Sequence, residues 1–318
     1  MKLYLGYTSA LDYWRQNDLD SHAQIIRSDA ASFAAPNRHV IEKAQTELSI
    51  THPPFHVVVS SPAKRRAMTN IICHATGSTI PKSSFINHSP HVAISSPEAC
   101  FLQLANIIPF IDLIQVGFEL CGTYALDPKS GTLLVREKRT STQLLAKYLQ
   151  KATKAHGLVK ARRALPFICD NSASPMETKL TLLLCLPTLY GGYGLPKPLL
   201  NKPLEVDEGW RTKTYRCDLT WLLSKTDKGK QHRLALEYDS SAFHSGLEKM
   251  HLDSKRRVAI ESENIHVLSI TKQQVYDDRA FDHLAKVVAK YLGVRLRSDR
   301  KDFFARQQKL RKDMQMLC

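Results

Sequence analysis

Hydrophobic and polar positions change their period several times along the chain, and the changes predict the elements. Residues 9–15 read as a short helix and residues 55–59 as a buried strand. Ser95-Ser96-Pro97-Glu98, followed by the apolar residues 99–105, predicts a helix start. Ser96 can cap it, Pro97 suits the first turn, and Glu98 favours the positive end of the helix dipole. Residues 131–134 suit a strand, and residues 141–155 and 159–165 suit helices. Ser174-Pro175-Met176-Glu177 opens an apolar helix that runs through Leu180, Leu182, Leu183, Leu184 and Leu186 and ends at Pro187. A further strand suits residues 198–206. Residues 215–223 alternate strictly, with Cys217, Leu219, Trp221 and Leu223 on one face and Arg216, Asp218 and Thr220 on the other. Residues 226–230, with Asp227 and Gly229, predict a turn into a returning strand at 233–239. A helix at 246–263, a strand at 265–270 and a helix at 278–292 closed by Gly293 complete the pattern.

The chain of 318 residues is long enough for two ordinary domains. With 43% hydrophobic and 24% charged residues it is neither collagenous, nor disordered, nor a small disulfide scaffold. Polar residues interrupt every apolar run, so no transmembrane helix and no signal peptide is expected. The seven cysteines are odd in number, widely spaced and without a C-x-x-C pair. They read as buried thiols in a reducing cytoplasm, with no zinc ribbon.

The net charge of +15 is unevenly placed. Residues 1–150 hold 14 basic and 11 acidic side chains, +3, and residues 151–318 hold 31 and 19, +12. A basic region attracts phosphate polyanions through counterion release, so nucleic acid leads the partner classes. Lys64-Arg65-Arg66 reads as a solvated loop, and residues 126–170 as a basic helical connector. Gly191-Gly192-Tyr193-Gly194 lacks the Gly-Lys-Ser/Thr ending of a phosphate loop and reads as a connection.

Chemistry gathers in the second half. Glu237 and Asp239 are two apart in an otherwise apolar strand and share a face. The short turn pairs that strand with the one carrying Asp218, so Asp218 can meet Glu237. Carboxylates converging this way repel unless a cation neutralises them, and an all-oxygen set suits Mg²⁺ or Mn²⁺. The tail from Arg295 to Lys312 reads as a basic helix, with Phe303, Phe304 and Leu310 as docking positions.

A helix Glu, a strand Asp, a strand Glu-x-Asp, a His five residues later and an Asp-x-x-x-Arg helix resemble the PD-(D/E)XK nuclease superfamily. Within it they are similar to the branch of very-short-patch repair (Vsr) endonucleases, over about residues 171–293. The segments carrying the likeness are 174–177, 216–219, 236–239, Phe243-His244, 253–257 and 265–270. The resemblance implies a restriction-endonuclease-like mixed sheet flanked by helices. It implies Asp218, Glu237 and Glu177 as metal ligands and Glu177, Asp218, Glu237, Asp239 and His244 as the catalytic set. Asp239 stands where the superfamily has Lys. His244 then becomes the acid/base candidate, with Lys249 and Lys255 as rivals. Residues 1–125 are similar to antitoxin-like regions fused upstream of Vsr-like domains in bacterial defence proteins.

The sequence therefore predicts an α/β protein in four parts: a mixed α/β recognition domain at 1–125, the connector at 126–170, a nuclease domain at 171–293 and a basic helix at 294–318. The expected activity is a Mg²⁺- or Mn²⁺-dependent endonuclease in the cytoplasm, acting on DNA ahead of RNA. Lys255, Arg256, Arg257, Lys309, Arg311 and Lys312 are the backbone-binding candidates. The alternatives are a non-catalytic nucleic-acid-binding regulator that keeps the fold, and a protein–protein adaptor.

Overall fold

Capping residues and prolines set many of the element boundaries in the computed structural model. It describes residues 2–17, 25–26, 36–48, 53–76, 80–207, 211–225, 231–239, 247–298 and 302–314. These fall into two compact units, Met1–Ile168 and Cys169–Cys318.

The first unit runs β1 Leu3–Leu5, α1 Tyr7–Gln16, β2 Ile25–Ile26, α2 Arg38–Leu48, β3 Phe55–Val59, β4 Ile71–Ala75, β5 Phe85–Asn87, β6 Val92–Ser95 and α3 Pro97–Leu104. It continues with α4 Phe110–Cys121, β7 Tyr124–Leu126, β8 Leu133–Val135, α5 Thr142–Lys151 and α6 Leu158–Ala164. Among the described residues six strands form a mixed sheet ordered β2-β5-β6-β1-β3-β4. The start of α3 is built as expected: Ser96 Oγ accepts the Ala99 N–H, and Pro97 spends no amide in the first turn. Trp14, Phe85, Phe101, Phe118 and Tyr124 are fully buried in the core. Beside them Arg15 makes a bidentate pair with Glu119, Nε–Oε1 2.7 Å and Nη2–Oε2 2.9 Å. The basic residues of α6 serve the packing. Lys160 Nζ donates to the Ile108 carbonyl, Arg162 Nη2 donates to the Leu149 carbonyl, and Arg163 lies over the Phe110 ring.

The second unit runs α7 Pro175–Cys185, β9 Leu199–Leu200, β10 Pro203–Asp207, β11 Thr212–Arg216, β12 Leu219–Lys225, β13 Gln231–Asp239, α8 Leu247–Ser262, β14 Ile265–Thr271, α9 Lys272–Tyr276, α10 Asp278–Leu292 and α11 Phe303–Asp313. Its main sheet is ordered β14-β13-β12-β9. β12 is antiparallel to both neighbours, and β13 runs parallel to β14, with α8 as the crossover. From Glu177 to Leu184 every residue of α7 is buried, so this helix is wrapped on all sides. Gly293 ends α10 in the left-handed region, φ 65°, as the sequence predicts. On α11 Phe303 and Leu310 turn inward while Phe304 stays exposed. Gly191, at φ 92°, lies where an added Cβ would come within 2.4 Å of the Arg306 carbonyl oxygen. The glycine run is thus a close-approach turn beneath α11.

Two expectations need correction. The strand expected over 198–206 is split into β9 and β10, with Asn201 at φ 47° between them. The strictly alternating strand at 215–223 is broken at Cys217-Asp218, between β11 and β12. Cys217 packs in one cluster with Ala235, Ile260 and Val267, and Ala235 is the cross-strand neighbour of Thr220. Cys217 therefore shares the Thr220 face and not the face of Leu219 and Trp221. The period slips because β11 leaves the main sheet to pair with β10. The turn expected at 226–230 lies outside the described residues.

Candidate active site on the second sheet

The break between β11 and β12 is what positions Asp218. Freed from the alternation, its Oδ2 accepts the backbone N–H of Tyr238 at 2.7 Å, between Glu237 and Asp239 on β13. Its own carbonyl accepts the Asn201 N–H at 3.2 Å. Burial raises the Asp218 carboxyl above the ordinary aspartate range, opposed by the Tyr238 N–H and by the charge of Arg256.

Glu177 enters from the first turn of α7. Ser174 Oγ caps the helix by accepting the Glu177 N–H at 3.2 Å, and donates to Glu177 Oε1 at 3.0 Å. Glu177 Oε2 accepts the Ala173 N–H at 2.8 Å and the Asn201 side-chain amide. Burial, chiefly, pushes the Glu177 carboxyl up to about 7. The Asp218 charge adds to the rise, and the Ala173, Asn201 and Ser174 donors hold it down. At neutral pH this group is poised to hold or release a proton.

Glu237 faces α8. Arg256 Nη2 donates to Glu237 Oε1 at 2.7 Å and to the Arg216 carbonyl at 2.8 Å. The Cys217 thiol lies beside Glu237 and is raised to about 12, by burial first and then by that carboxylate. Asp218 and Glu237 are thus linked through the charge of one guanidinium. Asp239 ends β13 half-buried, opposite Thr271 in the register. His244 and the side chain of Lys249 lie outside the described residues.

These oxygens, as arranged, do not offer a divalent cation a ready cage. Those of Glu177 receive three protein donors, Asp218 Oδ2 receives one, and Glu237 Oε1 receives Arg256. Among the described residues no three His, Cys, Asp or Glu side chains gather at one point.

The basic candidates divide by role. Lys255 is exposed on α8, whereas Arg257 is tied to Glu261 at 3.2 Å and to the Val267 carbonyl at 2.9 Å. On α11 Lys309 pairs with Asp313 at 2.9 Å and Lys312 is exposed. Arg311 turns inward, donating to the Val275 carbonyl at 2.7 Å beside Asp278 and over the Phe281 ring.

Sequence reasoning passed over two residues. Asn201 bridges Glu177 to the Asn171 carbonyl, its side-chain amide donating to both from a left-handed backbone that asparagine tolerates. Lys179 is 1% exposed in the middle of α7, with its Nζ donating to Tyr276 Oη at 3.1 Å and lying 4.5 Å over that ring. A lone lysine inside the apolar run of α7 was the available signal.

The chain is similar to two uncharacterized proteins of Mycobacterium tuberculosis, Rv2248 and MT2308, each 29% identical over 136 residues. The match covers 43% of this chain and 43% of each relative, under half the length of either. No protein-family model matches the chain, and no solved structure matches it significantly. Among the described residues no helix is long and apolar enough to cross a membrane.

Proposed function

We propose that the second unit binds nucleic acid, DNA ahead of RNA, and hydrolyses its phosphodiester backbone as a PD-(D/E)XK-type endonuclease dependent on Mg²⁺ or Mn²⁺. One observation carries the reading. Asp218 sits at a strand break with its carboxylate on β13 between Glu237 and Asp239, and within electrostatic reach of Glu177 on α7. Asp218 and Glu237 belong to the same end of the β12–β13 pair, and α7, β12, β13, α8 and β14 follow one another in the order that the resemblance implies. The chain's own groups divide the work. Asp218 is held in place by the Tyr238 N–H, Glu177, raised by burial to about 7, is placed to hold or release a proton, and Arg256 and Lys255 supply positive charge for a phosphate. Free cysteines, six among the described residues, fit a reducing cytoplasm.

The Arg256–Glu237 pair favours the second reading, a nucleic-acid-binding regulator whose carboxylates are already neutralised. Nicking of supercoiled plasmid with Mg²⁺ or Mn²⁺ separates the two. Wild type is expected to nick, and Asp218→Asn, purified identically, to bind without nicking. Tight binding with no cleavage by wild type would give the case to the regulator. Cleavage that survives Asp218→Asn would place the active site elsewhere.

A further inference from the structure

We infer that the helix pair α5–α6 gives the first unit its own grip on a nucleic-acid backbone, through Lys147, Lys151 and Lys154. The inference rests on the first unit alone and does not need the carboxylate site of the second. The charge of that unit is confined to one stretch. Residues 1–137 hold 11 basic and 11 acidic side chains, whereas residues 138–168 hold 8 basic and none acidic. All of the unit's net charge therefore lies in the stretch that contains α5 and α6. The cations there divide by use. Arg139, Lys160 and Arg162 donate to the carbonyls of Trp14, Ile108 and Leu149 and hold the packing. Lys147, Lys151 and Lys154 are exposed, and among the described residues no carboxylate pairs with them.

Lys147 and Lys151 are one turn apart, about 6 Å along the outer stripe of α5, and Lys154 follows in the turn to α6. Like charges at that spacing repel and weaken a helix. The helix dipole favours Lys151, in the last turn, but does nothing for Lys147 or Lys154. A polyanion relieves the repulsion of all three. The chemistry of that partner follows from the opposite face. Leu145, Tyr148 and Leu149 on α5 and Leu158, Ala161 and Ala164 on α6 are buried in the unit's own core. A helix that lies in a lipid surface needs its apolar face for the bilayer, and here that face is already used. The partner is therefore met from water, through charge. A duplex, with one negative charge per about 1.7 Å of its axis, matches a surface free of acids.

The test is binding of the full chain to a short labelled DNA duplex in EDTA, read by fluorescence anisotropy at several salt concentrations. Lys147→Gln, Lys151→Gln and Lys154→Gln together are expected to weaken binding at least about tenfold at low salt. They are also expected to lower the slope of log affinity against log salt by about 2–3, since each phosphate contact contributes about 0.9. Lys147→Arg, Lys151→Arg and Lys154→Arg together, which keep the charge, are expected to bind as wild type does. Lys43→Gln removes an exposed cation from the balanced part of the unit and is expected to leave affinity and slope close to wild type. Wild-type affinity and slope in the triple Gln variant would overturn the inference and leave nucleic-acid binding to the second unit, where charge reversal at Lys309 and Lys312 reads it. No duplex binding by wild type, or binding to phosphatidylserine vesicles in its place, would overturn both.

Discussion

Replacing Glu177 with Gln removes one titration while keeping the shape of the α7 N-terminus. The amide oxygen takes over the Ala173 and Asn201 donors, and the amide nitrogen faces Ser174 Oγ, which can accept. The wild-type carboxyl is raised in the folded protein from the ordinary 4.5 to about 7. A raised acid contributes stability that is fully present below its unfolded pKa and is lost as pH rises through the folded one. Wild type is therefore expected to lose stability relative to Glu177→Gln between pH 4.5 and about 7, and to hold a constant offset outside that window. The width of the window gives a loss of about 1–3 kcal/mol. For a unit of this size each kcal/mol moves Tm by about 2–4 °C. Thermal unfolding at half-unit pH steps from 4 to 8.5 reads the difference directly. Slope left in the variant belongs to other groups, including Asp218, whose carboxyl is also raised. Parallel curves for the two proteins, or wild type gaining on the variant as pH rises, would refute the burial of this carboxylate.

Gly191→Ala sets a Cβ against the Arg306 backbone at a left-handed position, and is expected to lower stability by roughly 2 kcal/mol or more and loosen α11, seen as faster amide exchange there. Charge reversal at exposed Lys309 and Lys312 is expected to weaken nucleic-acid binding for all sequences alike and to flatten its salt dependence, as titration at several salt concentrations would show. Arg311→Ala, by contrast, is expected to cost about 1–3 kcal/mol in chemical denaturation, because it removes the donor to the Val275 carbonyl and leaves Asp278 with Gln308 but without its cation.

Local rules made much of the second unit readable. Ser174 and Pro175 mark the start of α7, Gly293 the end of α10, and the apolar runs of β13 and β14 their burial. The nearness of Asp218 to the Glu237–Asp239 end of β13 was readable too, because the short connection between the two strands pairs them as a hairpin. What the pattern hid was long-range. Residues 215–221 alternate, and nothing local shows that β11 belongs to β10 and β12 to the main sheet. Arg256 is seventeen residues beyond Asp239 and looks like any basic residue on a helix surface. Its place against Glu237 follows from the α8 crossover, which no local period reports. Arg311 likewise reads as one of several tail cations, and only the packing of α11 turns it inward.

The most direct test of the whole account is an anomalous difference map at the manganese edge, from crystals of the protein grown with Mn²⁺ and a short duplex. The account expects a peak touching Asp218 and Glu237. A duplex bound at this face with no anomalous peak at either carboxylate would contradict it.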